Sequence, residues 1–124
     1  MARFPDADIT ELDRAKTLGV RSGTTHRFTA VWVVVVERRV FVRSWNDKPT
    51  GWYRAFLREP RGAVTVDRKQ LAVRGRQLRS ERLRHAVSAA YAKKYPTKGS
   101  AQWVRGFAEA HREATTLELV PDDA

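Results

Sequence analysis

Two short stretches of the sequence carry groups that suit an anion. The first spans residues 19–23 (GVRSG), where two glycines allow the backbone to approach a ligand closely. The second spans residues 42–54 (VRSWNDKPTGWYR) and leads into a predicted helix at Trp52, whose free N–H groups favour a phosphate. The cations and hydroxyls of the two stretches are Arg21, Ser22, Arg43, Ser44 and Lys48. The residues alone leave open whether they meet a phosphorylated cofactor, a nucleic acid backbone or solvent.

The position of Arg43 in its predicted strand indicates which way its side chain points. Because side chains alternate along a strand, Arg43 is predicted to face away from Val42 and Ser44. We therefore expect it at the surface, where its guanidinium reaches solvent or binds an anion.

Aromatic rings accompany these cations. Trp45, Trp52 and Tyr53 offer flat apolar surfaces, and this mixture suits a phosphorylated aromatic ligand. The alternative from the residues alone is a charged barrel rim whose open end the rings fill.

The sequence gives little support for catalysis by a side-chain nucleophile or a bound metal ion. It has no cysteine, which excludes disulfides, thiolate catalysis and cysteine-bound metals. The three histidines (His26, His85 and His111) have no metal-ligand spacing, so no metal site is predicted. A nucleophile elbow and a P-loop are also missing. If the protein is an enzyme, a bound cofactor carries the reaction; the catalytic residues are unknown, with Tyr53 as the remaining candidate proton donor.

The charge balance favours anionic partners. Lysine and arginine number 24 against 14 acidic residues, which gives a net charge of +10. Non-specific binding of nucleic acid is expected to be weak and strongly salt-dependent, because the arginines are spread through every element. The arginines that could contact phosphates are Arg38, Arg39, Arg43, Arg58, Arg61, Arg68, Arg74, Arg76, Arg79, Arg82 and Arg84.

Length and hydropathy indicate one soluble domain. The 124 residues suffice for a single core, so residues 1–124 are predicted to form one domain. The start of the chain has no apolar signal region, and the valine run at residues 31–36 is too short to span a bilayer. We expect a cytoplasmic protein with no membrane partner.

Four helices and five strands are predicted to position these residues. The first helix covers residues 6–19, with Asp8 as its cap and Gly19 at its end. The connection at residues 19–27 reads as turn-rich. The further helices are residues 52–59, residues 80–95 and a weaker one at residues 100–114. The strands are Phe28–Val36 and Val40–Trp45 around a turn at Glu37–Arg39, residues 62–67 and 70–75, and residues 115–120. Hairpins with helices between them indicate an α+β domain on an antiparallel sheet or barrel.

The order of these motifs resembles that of a known superfamily. The pattern "GVRSG…TAVWVVVVERRVFVRSW…GWYRAFLREP.GAVTV" is similar to the split β-barrel proteins, which include pyridoxamine-phosphate-oxidase-like flavoproteins and deazaflavin-dependent nitroreductases. More closely, "AAYAKKYP" and the closing "EATTLELVP" resemble a bacterial family of unknown function within that superfamily. The resemblance runs from about Leu12 to Pro121.

The resemblance implies a fold, a cofactor and an assembly. The fold would be a six-stranded antiparallel split β-barrel with peripheral helices, and the protein a homodimer with FMN or a deazaflavin in the dimer groove. The cofactor residues that it selects are Arg43, Ser44, Lys48, Trp52 and Tyr53, followed by Arg21 and Ser22 from the glycine turn.

The residues and the resemblance together lead to two functional hypotheses. The first is a flavin- or deazaflavin-binding protein, an oxidoreductase if the cofactor transfers hydride. The alternative is a non-enzymatic basic module that binds nucleic acid or another anionic partner.

Overall fold

Six antiparallel strands close into a barrel in the computed structural model, which describes residues 3–122. The strands are β1 (Thr17–Ser22), β2 (Thr29–Val36), β3 (Arg39–Arg43), β4 (Arg61–Val66), β5 (Lys69–Gln77) and β6 (Thr116–Pro121). The helices are α1 (Asp6–Arg14), α2 (Trp52–Arg58), α3 (Glu81–Lys94), α4 (Ala101–Phe107) and α5 (Ala110–Glu113), with a 3-10 turn at Lys98–Ser100. The order around the barrel is β1-β2-β3-β6-β5-β4. The predicted α+β class with a six-stranded antiparallel barrel is confirmed.

Alternating apolar residues fill the barrel. Along β3, Val40 and Val42 point into the interior, where they meet Leu117 and Leu119 of β6. Helix α1 adds Leu12 to this core, and α2 adds Tyr53 and Phe56. The core residues are Phe4, Leu12, Leu18, Val20, Val33, Val40, Val42, Tyr53, Phe56, Val64, Val66, Val73, Leu117 and Leu119.

Both predicted hairpins form around tight turns. Glu37 and Arg38 join β2 to β3 with φ values of 53° and 61°. Asp67 and Arg68 join β4 to β5 with φ values of 45° and 68°. Two successive residues with positive φ are typical of the two-residue turn whose twist matches a β-hairpin.

The chain between α1 and β2 differs from the prediction. Helix α1 ends at Arg14, and residues 17–22 form β1, which pairs with both β2 and β4. The assignment of Gly19 as a helix end is therefore wrong, and the predicted connection at residues 19–27 is confirmed only for residues 23–27. A Cβ on Gly19 would lie 2.4 Å from Thr65 Oγ1, so glycine is needed here for the close approach of β4. Strand β1 pairs with β2 across the short turn of residues 23–28 and with β4, about 40 residues further along the chain.

Helices α3 and α4 cover the outer face of β2 and β3. Val34 and Phe41 pack there against Val87 and Tyr91 of α3 and Phe107 of α4. The valine run is thus buried on both sides, as its composition indicated. Trp32, Val34 and Val36 all pack against this outer cluster, so α3 covers much of the outer face of the run.

The C-terminal helical region is broken. Residues 100–114 were predicted as one weak helix, but α4 ends at Phe107 and α5 begins at Ala110. The long helix α3 matches its prediction and is capped by Ser80, whose hydroxyl accepts a hydrogen bond from Leu83 N at 3.2 Å.

Candidate functional site

Two adjoining clefts lie where β1, β2 and β3 meet the loop before α2. The larger, here called the aromatic cleft, has a volume of about 450 Å³. The smaller, here called the Arg21 pocket, has a volume of about 190 Å³. They share the wall formed by Thr29, Thr50, Gly51 and Trp52. The aromatic cleft is lined by Thr29, Ala30, Val31, Trp32, Arg43, Ser44, Trp45, Asn46, Lys48, Thr50, Gly51, Trp52 and Phe107.

Packed rings form the apolar part of the aromatic cleft. Trp32 stacks on Tyr95 with a centroid distance of 4.0 Å and an interplanar angle of 4°. Trp45 meets Phe107 edge to face at 5.6 Å. These contacts hold the rings at fixed angles, so the cleft offers a rigid apolar surface beside the loop of residues 46–51.

The Arg21 pocket contains a cation without a hydrogen-bond acceptor. Arg21 Nε is buried and donates to no atom of the described residues. Its guanidinium lies over the ring of Phe28, 4.3 Å from the centroid, which fixes the plane of the group. His26 and Arg27, both exposed, add polar edges to the same pocket. A buried N–H without a partner costs roughly 1–3 kcal/mol, so this group is suited to an external acceptor.

Arg43 is buried, contrary to the prediction that it lies at the surface. It is 2% exposed, and its outer strand face is the one that α3 and α4 cover. Its Nε donates to Thr116 Oγ1 at 2.8 Å, and its Nη1 donates to Ser88 Oγ at 2.8 Å. The carbonyls of Phe107 and Arg84 accept from Nη1 and Nη2 at 2.7 and 3.0 Å. Four of the five guanidinium N–H groups are therefore used within the protein.

The charge of Arg43 has an indirect acidic partner. Ser88 Oγ, which accepts from Arg43, also lies 2.8 Å from Glu113 Oε2. The ring of Tyr91 lies 5.6 Å from the guanidinium carbon. Burial lowers the pKa of Arg43, and no carboxylate among the described residues forms an ion pair with it directly. Through these contacts the buried Arg43 side chain links β3 to α3, α4 and β6.

The two predicted serines are also engaged by the protein. Ser44 is 2% exposed, and its hydroxyl donates to the Asn46 carbonyl at 2.6 Å. Ser22 lies inside the barrel, and its Oγ is 2.7 Å from the Glu59 carbonyl and 3.1 Å from that of Ala55. Both hydroxyls thus form hydrogen bonds to backbone carbonyls. The bond of Ser44 orders the start of the loop of residues 46–51, and those of Ser22 join β1 to α2.

The remaining predicted residues divide between the clefts and the core. Lys48 is exposed on the rim of the aromatic cleft, and Trp52 is half-buried in the shared wall. Tyr53 is buried and lines neither cleft; its hydroxyl donates to the Ala114 carbonyl at 3.3 Å and accepts from Gln77 Nε2 at 3.1 Å. Burial raises the pKa of Tyr53. A role as proton donor would require a ligand to reach it inside the fold.

Sequence reasoning missed several residues of the clefts. Trp32 and Phe107 line the aromatic cleft, and Arg27 lines the Arg21 pocket. The alternation of β2 put Trp32 on its outer face, a usable signal. Phe107 reaches the cleft only through the packing of α4, for which the local sequence offers no signal.

Two further properties of the described chain bear on function. Within residues 3–122, no three or more histidine, aspartate or glutamate side chains gather in a way that could hold a metal ion. Over the same residues, no helix has the length and apolar character needed to cross a bilayer.

Comparison with known proteins supports the fold and the family. The chain is similar to the crystal structure of a conserved hypothetical protein, Rv2991, from Mycobacterium tuberculosis. The TM-score is 0.59 and the sequence identity 14%, over 95% of this chain and 79% of that one, which shows a common fold. No curated protein matches the chain at a significant level. A family model described as "Uncharacterized protein conserved in bacteria (DUF2255)" matches residues 8–119, and the chain therefore belongs to this bacterial family.

Proposed function

We propose that this protein binds a phosphorylated planar cofactor, FMN or a deazaflavin, with its ring in the aromatic cleft and its phosphate in the Arg21 pocket. The observation that carries the proposal is the buried Nε of Arg21, which has no acceptor and lies in a pocket sharing a wall with the aromatic cleft. A phosphate oxygen would supply that acceptor, in a charge-assisted hydrogen bond.

The shape of the aromatic cleft supports a ring ligand. Its volume of about 450 Å³ lies within the range of about 300–1,000 Å³ usual for small-molecule sites. Trp32, Trp45 and Phe107 supply apolar surface, while Asn46 and Lys48 supply polar edges. A flat heterocycle with polar groups on one edge matches this distribution.

The phosphate is assigned to Arg21 instead of Arg43. Four N–H groups of Arg43 already have acceptors, so turning this guanidinium towards a ligand would break hydrogen bonds that hold α3 and α4. Arg21 loses no hydrogen bond when it binds an anion. Lys48 and Arg27 lie on the rims of the two clefts, where they would add attraction without close coordination.

An oxidoreductase role is part of the same proposal. When bound, a flavin or deazaflavin supplies hydride transfer, and the protein positions the ring and limits access of water. Residues of this chain suited to those tasks are the packed rings around Trp32 and the loop of residues 46–51. The proton donor of such a reaction would come from solvent or substrate, since Tyr53 lies outside both clefts.

The proposal is tested by titrating FMN and riboflavin into the purified protein and following flavin fluorescence. We expect FMN to bind more tightly than riboflavin, because only FMN carries the phosphate. Arg21→Gln should weaken FMN binding roughly ten- to a hundredfold, the value of one charge-assisted hydrogen bond of about 1.5–3 kcal/mol. Riboflavin binding should not change.

Arg79→Gln is the matched control, because Arg79 is exposed and lines neither cleft. It should bind FMN as the wild type does. Failure of both flavins to bind, or an equal loss of FMN affinity in the two variants, would contradict the proposal.

A further inference from the structure

A second aromatic surface lies on α4, outside the proposed cofactor site. Trp103 is 43% exposed and, with Leu57 at 40%, is one of two large apolar side chains that are exposed in the described chain. It lines a groove of about 380 Å³ together with Trp45, Gln102, Arg105 and Glu109. We call this the Trp103 groove.

The floor of the Trp103 groove is rigid. Trp103 meets the ring of Trp45 edge to face, with centroids 4.8 Å apart. The guanidinium of Arg112 lies 3.5 Å from the centroid of Trp45, and its Nε donates to the Trp45 carbonyl at 3.0 Å. A Cβ on Gly106 would lie 2.2 Å from the Trp45 ring, so glycine at this position lets the ring lie against α4. The exposed ring of Trp103 thus packs against a Trp45 ring that is itself held in place.

Lysines and arginines are frequent in the sequence around the Trp103 groove. The segment of residues 93–112 holds five lysines and arginines and a single acidic residue, Glu109. Arg105 lines the groove, and Lys98 is exposed in the turn that leads into α4. Neither forms an ion pair within the described residues. Arg112 pairs with Glu109 at 3.1 Å, and Lys94 donates to the Leu12 and Val33 carbonyls. Lys93, Lys98 and Arg105 are therefore the cations of this segment that are available to a polyanion.

Many arginines elsewhere are already engaged. Arg39 pairs with Glu118 at 2.7 Å, Arg82 with Glu37 at 2.7 Å, and Arg61 with Asp122 at 3.5 Å. Arg38 pairs with Asp6, and Arg43 is buried. These five arginines are thus engaged within the fold, whereas Arg105 lines the groove beside an exposed ring without an ion-pair partner among the described residues.

We infer that the Trp103 groove binds single-stranded nucleic acid, with a base stacked on Trp103 and the adjoining phosphates near Arg105 and Lys98. Every base has a flat face, so stacking on an exposed aromatic ring tolerates any sequence, and nearby cations follow the backbone. A strand is favoured over a free nucleotide because Arg105 lines the groove whereas Lys98 lies outside it, in the turn before α4. This surface shares Trp45 with the proposed cofactor site, but its stacking ring, Trp103, does not line that site.

Fluorescence anisotropy with labelled oligothymidine DNA tests the inference. Trp103→Leu keeps an apolar side chain against Trp45 but removes the aromatic ring, and it should weaken binding roughly 5- to 150-fold. That factor should be the same at low and high salt, because stacking releases no counterions. Arg105→Gln should instead lower the slope of log affinity against log salt by roughly one phosphate contact.

Five control measurements separate the inference from its rivals. Trp103→Phe, which restores a ring, should recover most of the affinity, while Leu57→Ala should bind as the wild type does. Thymidine monophosphate should displace the strand only at far higher concentration, and a duplex of the same length should bind more weakly. FMN should bind Arg105→Gln as it binds the wild type, because Arg105 lines neither cofactor cleft, so failure of the cofactor proposal remains distinguishable.

Three results would overturn the inference. One is wild-type affinity in Trp103→Leu, which would leave only diffuse electrostatic binding. Another is an equal loss in Leu57→Ala, and the last is displacement by the mononucleotide at concentrations similar to those of the strand.

Discussion

Replacing Arg43 with methionine distinguishes a structural guanidinium from a ligand-binding one. Methionine replaces the aliphatic stem of arginine with an unbranched apolar chain but lacks the guanidinium, so it removes every donor. The Phe107 carbonyl would lose the hydrogen bond from Nη1, and Thr116 Oγ1 would lose that from Nε. Ser88 and Thr116 would keep their contacts to Glu113, so only part of the network is left without partners.

The size of the effect follows from these partners. A buried carbonyl left without a donor costs roughly 1–3 kcal/mol, and each lost hydrogen bond from a charged donor roughly 1.5–3 kcal/mol. Removing the buried cation also removes its desolvation penalty, which offsets part of this cost. We expect a net loss of about 2–4 kcal/mol in the free energy of unfolding. For a chain of this size, each kcal/mol lowers Tm by about 3–5 °C, so Tm should fall by roughly 6–20 °C.

Urea unfolding followed by tryptophan fluorescence, without cofactor, measures this loss. Arg43→Lys should fall between wild type and methionine, because an ammonium keeps the charge but cannot reach four acceptors in the same plane. Arg79→Met is the matched control at an exposed arginine and should stay within about 0.5 kcal/mol of wild type. The structural role of Arg43 would be refuted if Arg43→Met changed the free energy of unfolding by less than about 0.5 kcal/mol and lowered FMN affinity tenfold. Arg43 would then be a ligand-binding residue.

Two other properties can be tested on the wild-type protein. All three tyrosines are buried, and burial raises the pKa of each, that of Tyr95 to about 12. Their contribution to stability should be complete below the unfolded pKa of about 10 and be lost as pH rises towards 12. Ultraviolet titration should therefore show tyrosinate appearing together with unfolding, and independent titration near pH 10 would contradict the burial. We also predict a homodimer, and light scattering should report about twice the 14.2 kDa chain mass; a stable monomer at micromolar concentration would exclude it.

The elements with local signals were the predictable ones. Alternating residues and short turns defined both hairpins, and apolar spacing after Ser80 defined α3. Strand β1 was missed because residues 17–19 continue the apparent helix and Gly19 resembles its end, whereas the pairing with β2 and with the distant β4 favours a strand. The break between α4 and α5 likewise has no strong signal in residues 100–114.

For the candidate site, the sequence identified suitable side chains but not their partners. Arg43 and Ser44 do line the aromatic cleft, as do Lys48 and Trp52, and Arg21 and Ser22 line the neighbouring pocket. Tyr53 lies in the barrel core instead. Residue type was enough to locate the region, because the glycine-flanked stretch at residues 19–23 and the end of β3 with its following loop carry most of these side chains.

Strand alternation determines which face a side chain occupies, but not what covers that face. Arg43 and Phe41 do lie on the outer face of β3, as alternation requires. Ser88 and Phe107, which supply acceptors to Arg43, stand 45 and 64 residues further along the chain. The same basic composition therefore contains two kinds of arginine. Arg43 has its acceptors within the fold and stabilises it, whereas Arg21 Nε is buried without one. In a chain with a net charge of +10, a missing internal acceptor is better evidence for an external ligand than the presence of an arginine at a strand end.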